Sequence, residues 1–281
     1  MLGTEREVEL DGLAVRYRLA GDPADPPVVL LHGGGLDAAT LSWRETIPAL
    51  ADDFAVYALD WPGYGASDPP EETPTIRYYV SVLRRFLDAL ELDSVRLVGI
   101  SMGGGAALGF ALDFPERVER LVLVASYGLG GSSPGGSLGA MFVRMPVFAG
   151  GIWDSMAHSR DLTELALRNL VANGNLTDEL VDDAWTEVRR PNAGSAWTAF
   201  QRAEVGFDGL ETNYADRLAE LAVPTLFVHG EADRLVPVSW AVSAGAEAPD
   251  AEVEVLENCG HLPPRERPEA FLASVETFLA G

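Results

Sequence analysis

The chain has 281 residues, 47% of them hydrophobic, and a formal net charge of −23 from 43 acidic and 20 basic residues. Every basic residue is an arginine, and the sequence contains no lysine. A surface with this much negative charge repels nucleic-acid phosphates and anionic membranes, and we expect neither as a partner. No apolar run is long enough to span a membrane, and the acidic first residues, MLGTEREVEL, predict no signal peptide.

Two features of composition bear on the environment of the protein. Cys259 is the single cysteine, which excludes an internal disulfide framework and favours a reducing, cytoplasmic location. An acidic, lysine-free composition is typical of proteins from salt-accumulating halophiles, in which salt screens the repulsion between acidic side chains. We therefore predict a halophilic protein that salt stabilises; the alternative is one that is merely acidic.

Short apolar runs with β-branched residues alternate with helical patterns through the first half of the chain. Strands are predicted at residues 15–19, 28–31, 54–59, 95–100 and 121–125. Helices are predicted at residues 43–51, at 75–90 and from just after Ser101 to about residue 114. Continuous apolar strands separated by helices indicate an α/β fold, with a parallel sheet covered on both faces.

This alternation stops at the glycine- and serine-rich stretch YGLGGSSPGGSLG, which indicates a loop or hinge. The chain from residue 138 to 214 shows helices and no convincing strand, with Thr177 as a predicted N-cap. Its clearest helices lie at residues 162–172 and 178–190. Strands return at residues 223–230 and 251–258, and helices follow them at 239–246 and 268–279. We therefore predict an α/β core, residues 1–125 and 218–281, interrupted by a helical insert, residues 126–217.

A single serine is bracketed by glycines where a predicted strand meets a predicted helix. Gly99, Ser101 and Gly103 fit the pattern G-x-S-x-G. At such a turn the central residue takes a strained backbone conformation that lifts its hydroxyl out, and side chains two positions away would clash with it. The motif alone also fits a glycine-rich turn with a helix-capping serine, so it does not establish catalysis.

A second glycine cluster, LLHGGG, follows the predicted strand at residues 28–31. Glycines in this place let backbone N–H groups approach a developing oxyanion. We predict the N–H groups of Gly34, with Gly35 beside it, and Met102 as the donors, and a structural role for His32. A phosphate-binding loop is disfavoured because no lysine follows the glycines.

Four histidines are candidates for a general base. His261 follows the last predicted strand on a loop, whereas His158 lies in the insert and His229 within a strand. Asp233, on the loop after residues 223–230, is the best candidate for the acid that orients the base. Since the chain order Ser101, Asp233, His261 is a known nucleophile–acid–base order, we predict that these three are catalytic.

The chain resembles the α/β-hydrolase superfamily over essentially its whole length. The stretches that carry the resemblance are VVLLHGGG, YALDWPGYGASD, VRLVGISMGGGAALGFALDFPERVERLVLV, VPTLFVHGEADRLVP and CGHLPPRERPEAF. The resemblance implies an α/β-hydrolase fold of about eight mostly parallel strands with helices on both faces. It further implies a helical cap formed by the insert, a site beneath it, and no metal or organic cofactor. Monomer and homodimer both stay open.

The resemblance implies hydrolysis of small or medium carboxylic esters through an acyl-enzyme, with a small-molecule substrate. Trp153, Trp185 and Leu262 are predicted to contact that substrate. Other candidates for the lining of the site are Met141, Phe142, Trp197 and Phe200.

Other functions stay open at this point. Hydrolases of carbon–carbon bonds in ring-cleavage products share the HGGG loop and the SMGG turn. They tend to carry a tryptophan after the catalytic histidine and an arginine on a cap helix, where this chain has Leu262 and Ala184; Arg189 or Arg190 could substitute. Lactonases and haloperoxidase-like relatives share the triad, and a ligand-binding receptor of the same fold is the non-enzymatic alternative. Relatives that open epoxides or remove halide use an aspartate where this chain has Ser101.

Overall fold

The computed structural model describes residues 2–132 and 146–281, which contain an eight-stranded sheet. The strands are β1 (Thr4–Leu10), β2 (Leu13–Ala20), β3 (Pro27–Leu31), β4 (Ala55–Leu59), β5 (Val95–Ile100), β6 (Val118–Val124), β7 (Thr225–Gly230) and β8 (Ala251–Leu256). Their spatial order is β1-β2-β4-β3-β5-β6-β7-β8. β2 pairs antiparallel with β1 and with β4, and all other neighbours are parallel. The predicted α/β fold with a mostly parallel sheet is confirmed.

Helices connect the strands and cover both faces of the sheet. They are α1 (Ala39–Ser42), α2 (Thr46–Leu50), α3 (Ile76–Ala89), α4 (Met102–Asp113), α5 (Pro146–His158), α6 (Arg160–Leu167), α7 (Asp178–Val188), α8 (Ser195–Glu204), α9 (Val238–Glu247), α10 (Pro263–Glu266) and α11 (Pro268–Ala280). Two 3₁₀ turns lie at Pro115–Arg117 and Ala215–Glu220. No helix in the part of the chain that the structure describes is both long and apolar enough to cross a membrane.

The two faces of the sheet bury separate hydrophobic clusters. In β3, Val29 and Leu31 point to the face that α3, α4 and α9 cover, whereas Val28 and Leu30 point to the face of α2 and α11. All four side chains are fully buried. Because successive side chains of a strand point to opposite faces, a strand buried on both sides reads as a continuous apolar run. This is why the central strands could be predicted from the sequence.

The prediction for the first half of the chain misses one strand and makes one helix too long. β1 was not predicted, because it is an edge strand whose side chains are mostly exposed and charged, so no apolar run marks it. The helix predicted at residues 43–51 is shorter, because α2 covers only Thr46–Leu50 and a separate short helix, α1, ends before it at Ser42. Pro48 lies in the first turn of α2, where a missing N–H is tolerated.

Helices α5 to α8 occupy the described part of the insert, residues 126–217. Thr177 caps α7 as predicted, with its hydroxyl accepting the N–H of Leu180 at 3.2 Å. The helix predicted at residues 162–172 is shorter, since α6 ends at Leu167. The chain then runs irregularly to residue 177 and brings Leu170 and Ala172 against the loop that follows β8. Most of the predicted glycine-rich hinge, from residue 133 onward, lies outside the described residues.

Candidate active site

Ser101 lies at the junction of β5 and α4 with φ 52° and ψ −118°, a region that few residues other than glycine adopt. Backbone hydrogen bonds hold it there. Its N–H donates to the carbonyl of Val124 at 2.9 Å, and its carbonyl accepts the N–H groups of Gly105 and Tyr127, both at 3.0 Å. The Ser101 hydroxyl makes no capping hydrogen bond to α4. The strained turn therefore holds the side chain without using its oxygen.

The flanking glycines make this turn possible through close approach. A Cβ on Gly103 would overlap the carbonyl oxygens of Leu31 and His32, at the end of β3. A Cβ on Gly99 would lie 2.5 Å from the carbonyl oxygen of Gly103. Both glycines therefore let the first turn of α4 lie directly against the strand ends.

Asp233 and His261 form the second part of the site. Nδ1 of His261 lies 2.8 Å from Oδ2 of Asp233, and Nε2 of His229 lies 3.2 Å from the same oxygen. Oδ1 accepts the N–H groups of Leu235 and Val236 at 2.8 and 3.0 Å. Burial raises the pKa of Asp233, but the charge of His261 and the hydrogen bonds from both histidines and from Val236 outweigh it. The pKa of this carboxyl is held well below its usual range, so Asp233 is ionised and can stabilise a positive charge on the His261 ring.

These partners assign the protons of the histidines. Since the Asp233 carboxylate only accepts, His261 carries its proton on Nδ1, which leaves Nε2 as the basic nitrogen. Nε2 of His229 donates to the carbonyl of Val236 at 3.0 Å, so this ring supports the loop that carries Asp233. In His32, Nε2 accepts the N–H of Trp61 at 3.0 Å, so this side chain is structural, as predicted.

The glycine loop after β3 is held by a buried carboxylate. Oδ2 of Asp37 accepts the N–H of Gly33 at 2.6 Å. No hydrogen bond between described residues uses the N–H of Gly34 or of Met102. These two groups are therefore available as donors, and the role of the Gly35 N–H, the third predicted donor, stays a prediction.

Ser101 and His261 line the same cavity, which has a volume of about 490 Å³. The glycine loop and Leu262 form its core side. The insert contributes Ile152, Trp153, Met156, Ala166, Leu167, Leu170, Trp197, Thr198 and Gln201. The Trp197 ring lies so close to Gly34 that a Cβ there would overlap it. The walls are mainly aliphatic and aromatic, so the cavity suits an apolar group next to Ser101.

The predicted substrate contacts divide into two groups. Trp153, Leu262 and Trp197 line the cavity. Trp185 does not, and its prediction is corrected: no residue of α7 lines this cavity, and the Arg189 guanidinium lies 4.7 Å from the centre of the Trp185 ring. Phe200 also lies outside the lining and stacks against Trp197 at 5.4 Å between ring centres. Met141 and Phe142 lie outside the described residues.

Sequence reasoning missed two buried carboxylates that order the site, those of Asp37 and Glu266. Glu266 accepts the N–H groups of Gly260 and Leu262, on either side of His261, and the N–H of Ala172 in the insert. The available signal was an acid within an otherwise apolar or glycine-rich motif, in HGGGLD and in HLPPRE. Such acids are seldom buried unless they are fully bonded.

A family model described as the α/β hydrolase fold matches residues 26–268. The chain belongs to the α/β-hydrolase family. The hydrolase is 32% identical over 285 residues to a 2-hydroxy-6-oxononadienedioate/2-hydroxy-6-oxononatrienedioate hydrolase of Pseudomonas putida, covering 98% of this chain and 94% of that one. It is also 32% identical over 283 residues to a 2-hydroxymuconate semialdehyde hydrolase of Pseudomonas sp. strain CF600, covering 97% and 93%.

Solved structures agree with this assignment. The meta-cleavage product hydrolase of Pseudomonas fluorescens superposes on the hydrolase with a TM-score of 0.80 at 27% identity, covering 98% of this chain and 97% of that one. The resemblance predicted from the motifs, to an α/β-hydrolase, is confirmed. The family and the relatives support a hydrolase and leave the scissile bond open.

Proposed function

We propose that the hydrolase cleaves small or medium carboxylic esters, with Ser101 as nucleophile, His261 as general base and Asp233 as the acid that orients the base. The observation that carries this proposal is the 2.8 Å contact between His261 and Asp233 at the wall of the cavity that Ser101 also lines. A base held in one tautomer, in the same cavity as a strained serine, is the arrangement that nucleophilic acyl transfer requires.

The steps follow from the protonation states. Nε2 of His261 takes the proton of the Ser101 hydroxyl while its oxygen attacks the acyl carbon. The ionised Asp233 stabilises the imidazolium that forms, and the N–H groups of Gly34 and Met102 stabilise the oxyanion. The imidazolium then gives its proton to the departing alkoxide, which leaves an acyl-enzyme. Water, deprotonated by the same nitrogen, releases the acid and restores Ser101.

The cavity supports an uncharged acyl group. Its walls come from the core on one side and from the insert on the other, so residues 126–217 act as a cap in this proposal. An apolar wall next to the nucleophile favours an alkyl or aryl acid over a peptide or a polyanion. The single cysteine, which is buried and free, fits the cytoplasmic location that the proposal includes.

Cleavage of a carbon–carbon bond in a ring-cleavage product is the second candidate, and the names of the relatives favour it. Against it stands Leu262, an aliphatic side chain that lines the cavity directly after His261. Lactones are further acyl substrates that the same groups could open. A panel of esters, lactones and ring-cleavage dienoates distinguishes these reactions.

The test is hydrolysis of p-nitrophenyl butyrate by the wild type, by Ser101→Ala and by Ser239→Ala, which changes an exposed serine of α9. We expect kcat to fall by at least about 10³-fold in Ser101→Ala and to stay unchanged in the control. A serine-reactive phosphonate should label Ser101 alone. Equal rates in wild type and Ser101→Ala, or labelling elsewhere, would contradict the proposal. Ligand binding with no turnover of any substrate would favour a receptor instead.

A further inference from the structure

A second cavity, of about 290 Å³, adjoins the first. The two share Gly35, Leu36, Asp37 and Trp153 in their walls. The rest of the second lining comes from the loop after β4, at residues 63–67 and 69, and from the end of α7 and the loop to α8, at residues 187, 188 and 190–195. The Trp153 ring is seated on Gly194, where a Cβ would overlap it. One fixed aromatic ring therefore stands between the two cavities.

The second cavity differs from the first in carrying a charged pair. Nε of Arg190 donates to Oε2 of Glu187 at 2.5 Å. The Glu187 side chain is only 10% exposed, and that of Arg190 is 40% exposed. A guanidinium has five N–H groups and a carboxylate accepts at both oxygens, so each partner keeps capacity for a ligand. Burial raises the pKa of Glu187, although the hydrogen bond and the charge of Arg190 lower it.

A donor and an acceptor side by side select for a particular ligand chemistry. A hydroxyl both donates and accepts, so vicinal hydroxyls can bond to Glu187 and Arg190 together. An anion would meet the Glu187 carboxylate and the field of a chain with net charge −23. A cation would meet the Arg190 guanidinium. The pair therefore suits a neutral, hydroxylated group.

We infer that the second cavity binds the alcohol portion of the substrate, a neutral polyol of glycerol or sugar type, while the acyl chain lies in the apolar cavity beside Ser101. This inference rests on the proposed function. Ser101 lines the first cavity, and Gly35, at the end of the glycine loop, lines both cavities with Leu36 and Asp37. The inference therefore places the bond between acyl carbon and alcohol oxygen where the two cavities meet. The substrate class is an ester of an apolar acid with a polyhydroxy alcohol.

The test compares glyceryl monobutyrate with n-propyl butyrate, which share the acyl group and a three-carbon alcohol. We expect the wild type to favour the glyceryl ester by at least about tenfold in kcat/KM, since hydrogen bonds to charged groups discriminate by that order. This ratio should fall towards one in Arg190→Ala and in the conservative variant Glu187→Gln. It should persist in Arg189→Ala, because Arg189 contacts Trp185 and does not line the cavity.

Hydrolysis of p-nitrophenyl butyrate distinguishes a failure of the inference about the second cavity from a failure of the proposed function. If this ester is cleaved but the wild type treats the glyceryl and propyl esters alike, the inference is wrong and the proposed function stands. The same holds if the ratio survives in both Arg190→Ala and Glu187→Gln. Faster cleavage of the butyryl ester of glycolate, whose alcohol carries a carboxylate, would assign the cavity to anions and overturn the inference. If no ester is cleaved, the proposed function itself fails.

Discussion

Glu266 holds His261 through the backbone on both sides. Its carboxylate accepts the N–H groups of Gly260 and Leu262 at 2.9 and 3.0 Å, and it also accepts the N–H of Ala172 in the insert at 2.7 Å. The His261 N–H donates in turn to the carbonyl of Leu170 at 2.7 Å. The orientation of the imidazole therefore depends on the insert as well as on Asp233.

Glu266→Gln should weaken both the fold and the reaction. The side-chain amide of this variant has an NH2 group where the carboxylate has an oxygen. At least one of the buried backbone N–H groups that Glu266 accepts therefore loses its acceptor. We expect a loss of about 1–3 kcal/mol in the free energy of unfolding. We also expect kcat for p-nitrophenyl butyrate to fall more than KM rises, because the base is displaced. Urea unfolding and steady-state kinetics measure the two effects.

The matched control for Glu266→Gln is Glu269→Gln, which changes an exposed position of α11. A Glu266→Gln protein that behaves like this control would contradict the role given to Glu266.

Arg265 joins the core to α7 of the insert. Its side chain is only 2% exposed and forms ion pairs with Asp183 and Glu45, both at 3.1 Å. Arg265→Met would leave two partly buried carboxylates without this partner, and we expect the free energy of unfolding to fall by about 3–5 kcal/mol at neutral pH. The exposed variant Arg84→Met should lose at most about 1 kcal/mol.

The loss in Arg265→Met should shrink in mild acid. Burial already raises the pKa of both Asp183 and Glu45 above their usual values, although Arg265 lowers it. Without Arg265 each pKa rises further. A carboxyl with a raised folded pKa favours the folded state at pH below its unfolded pKa, and that contribution is lost as pH rises through the folded pKa. Unfolding curves at about pH 4 and 7 should therefore show the smaller deficit at the lower pH; an equal deficit would contradict this account.

Asp233 should show the opposite pH dependence. Its folded pKa lies below the unfolded value, so its contribution to stability is present above about pH 4 and is lost as pH falls towards the folded pKa. The difference in unfolding free energy between wild type and Asp233→Asn should thus decrease on acidification below that pH. Activity should fall by about 10³–10⁴-fold, since the amide no longer fixes the His261 tautomer. Asp250→Asn, on an exposed turn, should change neither quantity.

The Cys259 thiol should be inert in the folded protein. It is fully buried, and burial together with the nearby Glu266 raises its pKa above the ordinary value. Ellman's reagent should therefore react with the chain only after unfolding in urea. Rapid stoichiometric reaction with the native protein would show that the loop before His261 opens.

Salt should stabilise the protein, as its composition predicts. Screening weakens the repulsion within a chain of net charge −23, and it also weakens exposed ion pairs such as Arg16 with Glu7. The repulsion involves the whole surface, whereas each exposed pair contributes little. We expect Tm to rise between low and molar potassium chloride. A flat or falling Tm would contradict the prediction of a halophilic protein and favour one that is merely acidic.

The sequence predicted the parts of the site that depend on local chemistry. Gly99 to Gly103 prescribe a turn by themselves, and the loops of Asp233 and His261 follow strands that apolar runs mark clearly. Contacts between distant segments could not be predicted. Glu266 acts through Ala172, 94 positions away in the chain. Periodicity predicted that α7 has an apolar face but not that none of its side chains lines the cavity beside Ser101, and for that reason Trp185 was misassigned.

The contact between Trp197 and Gly34 ties two properties that enzymes usually vary separately. The ring on α8 shapes the space for the acyl chain, and the peptide beneath it carries an N–H assigned to the oxyanion. Any replacement that enlarges or tilts the ring must press on that peptide, and a smaller one leaves it unsupported. Directed evolution of a new acyl preference at position 197 should therefore change turnover along with selectivity. Positions such as Ile152 and Met156, on α5, offer a route to altered selectivity alone.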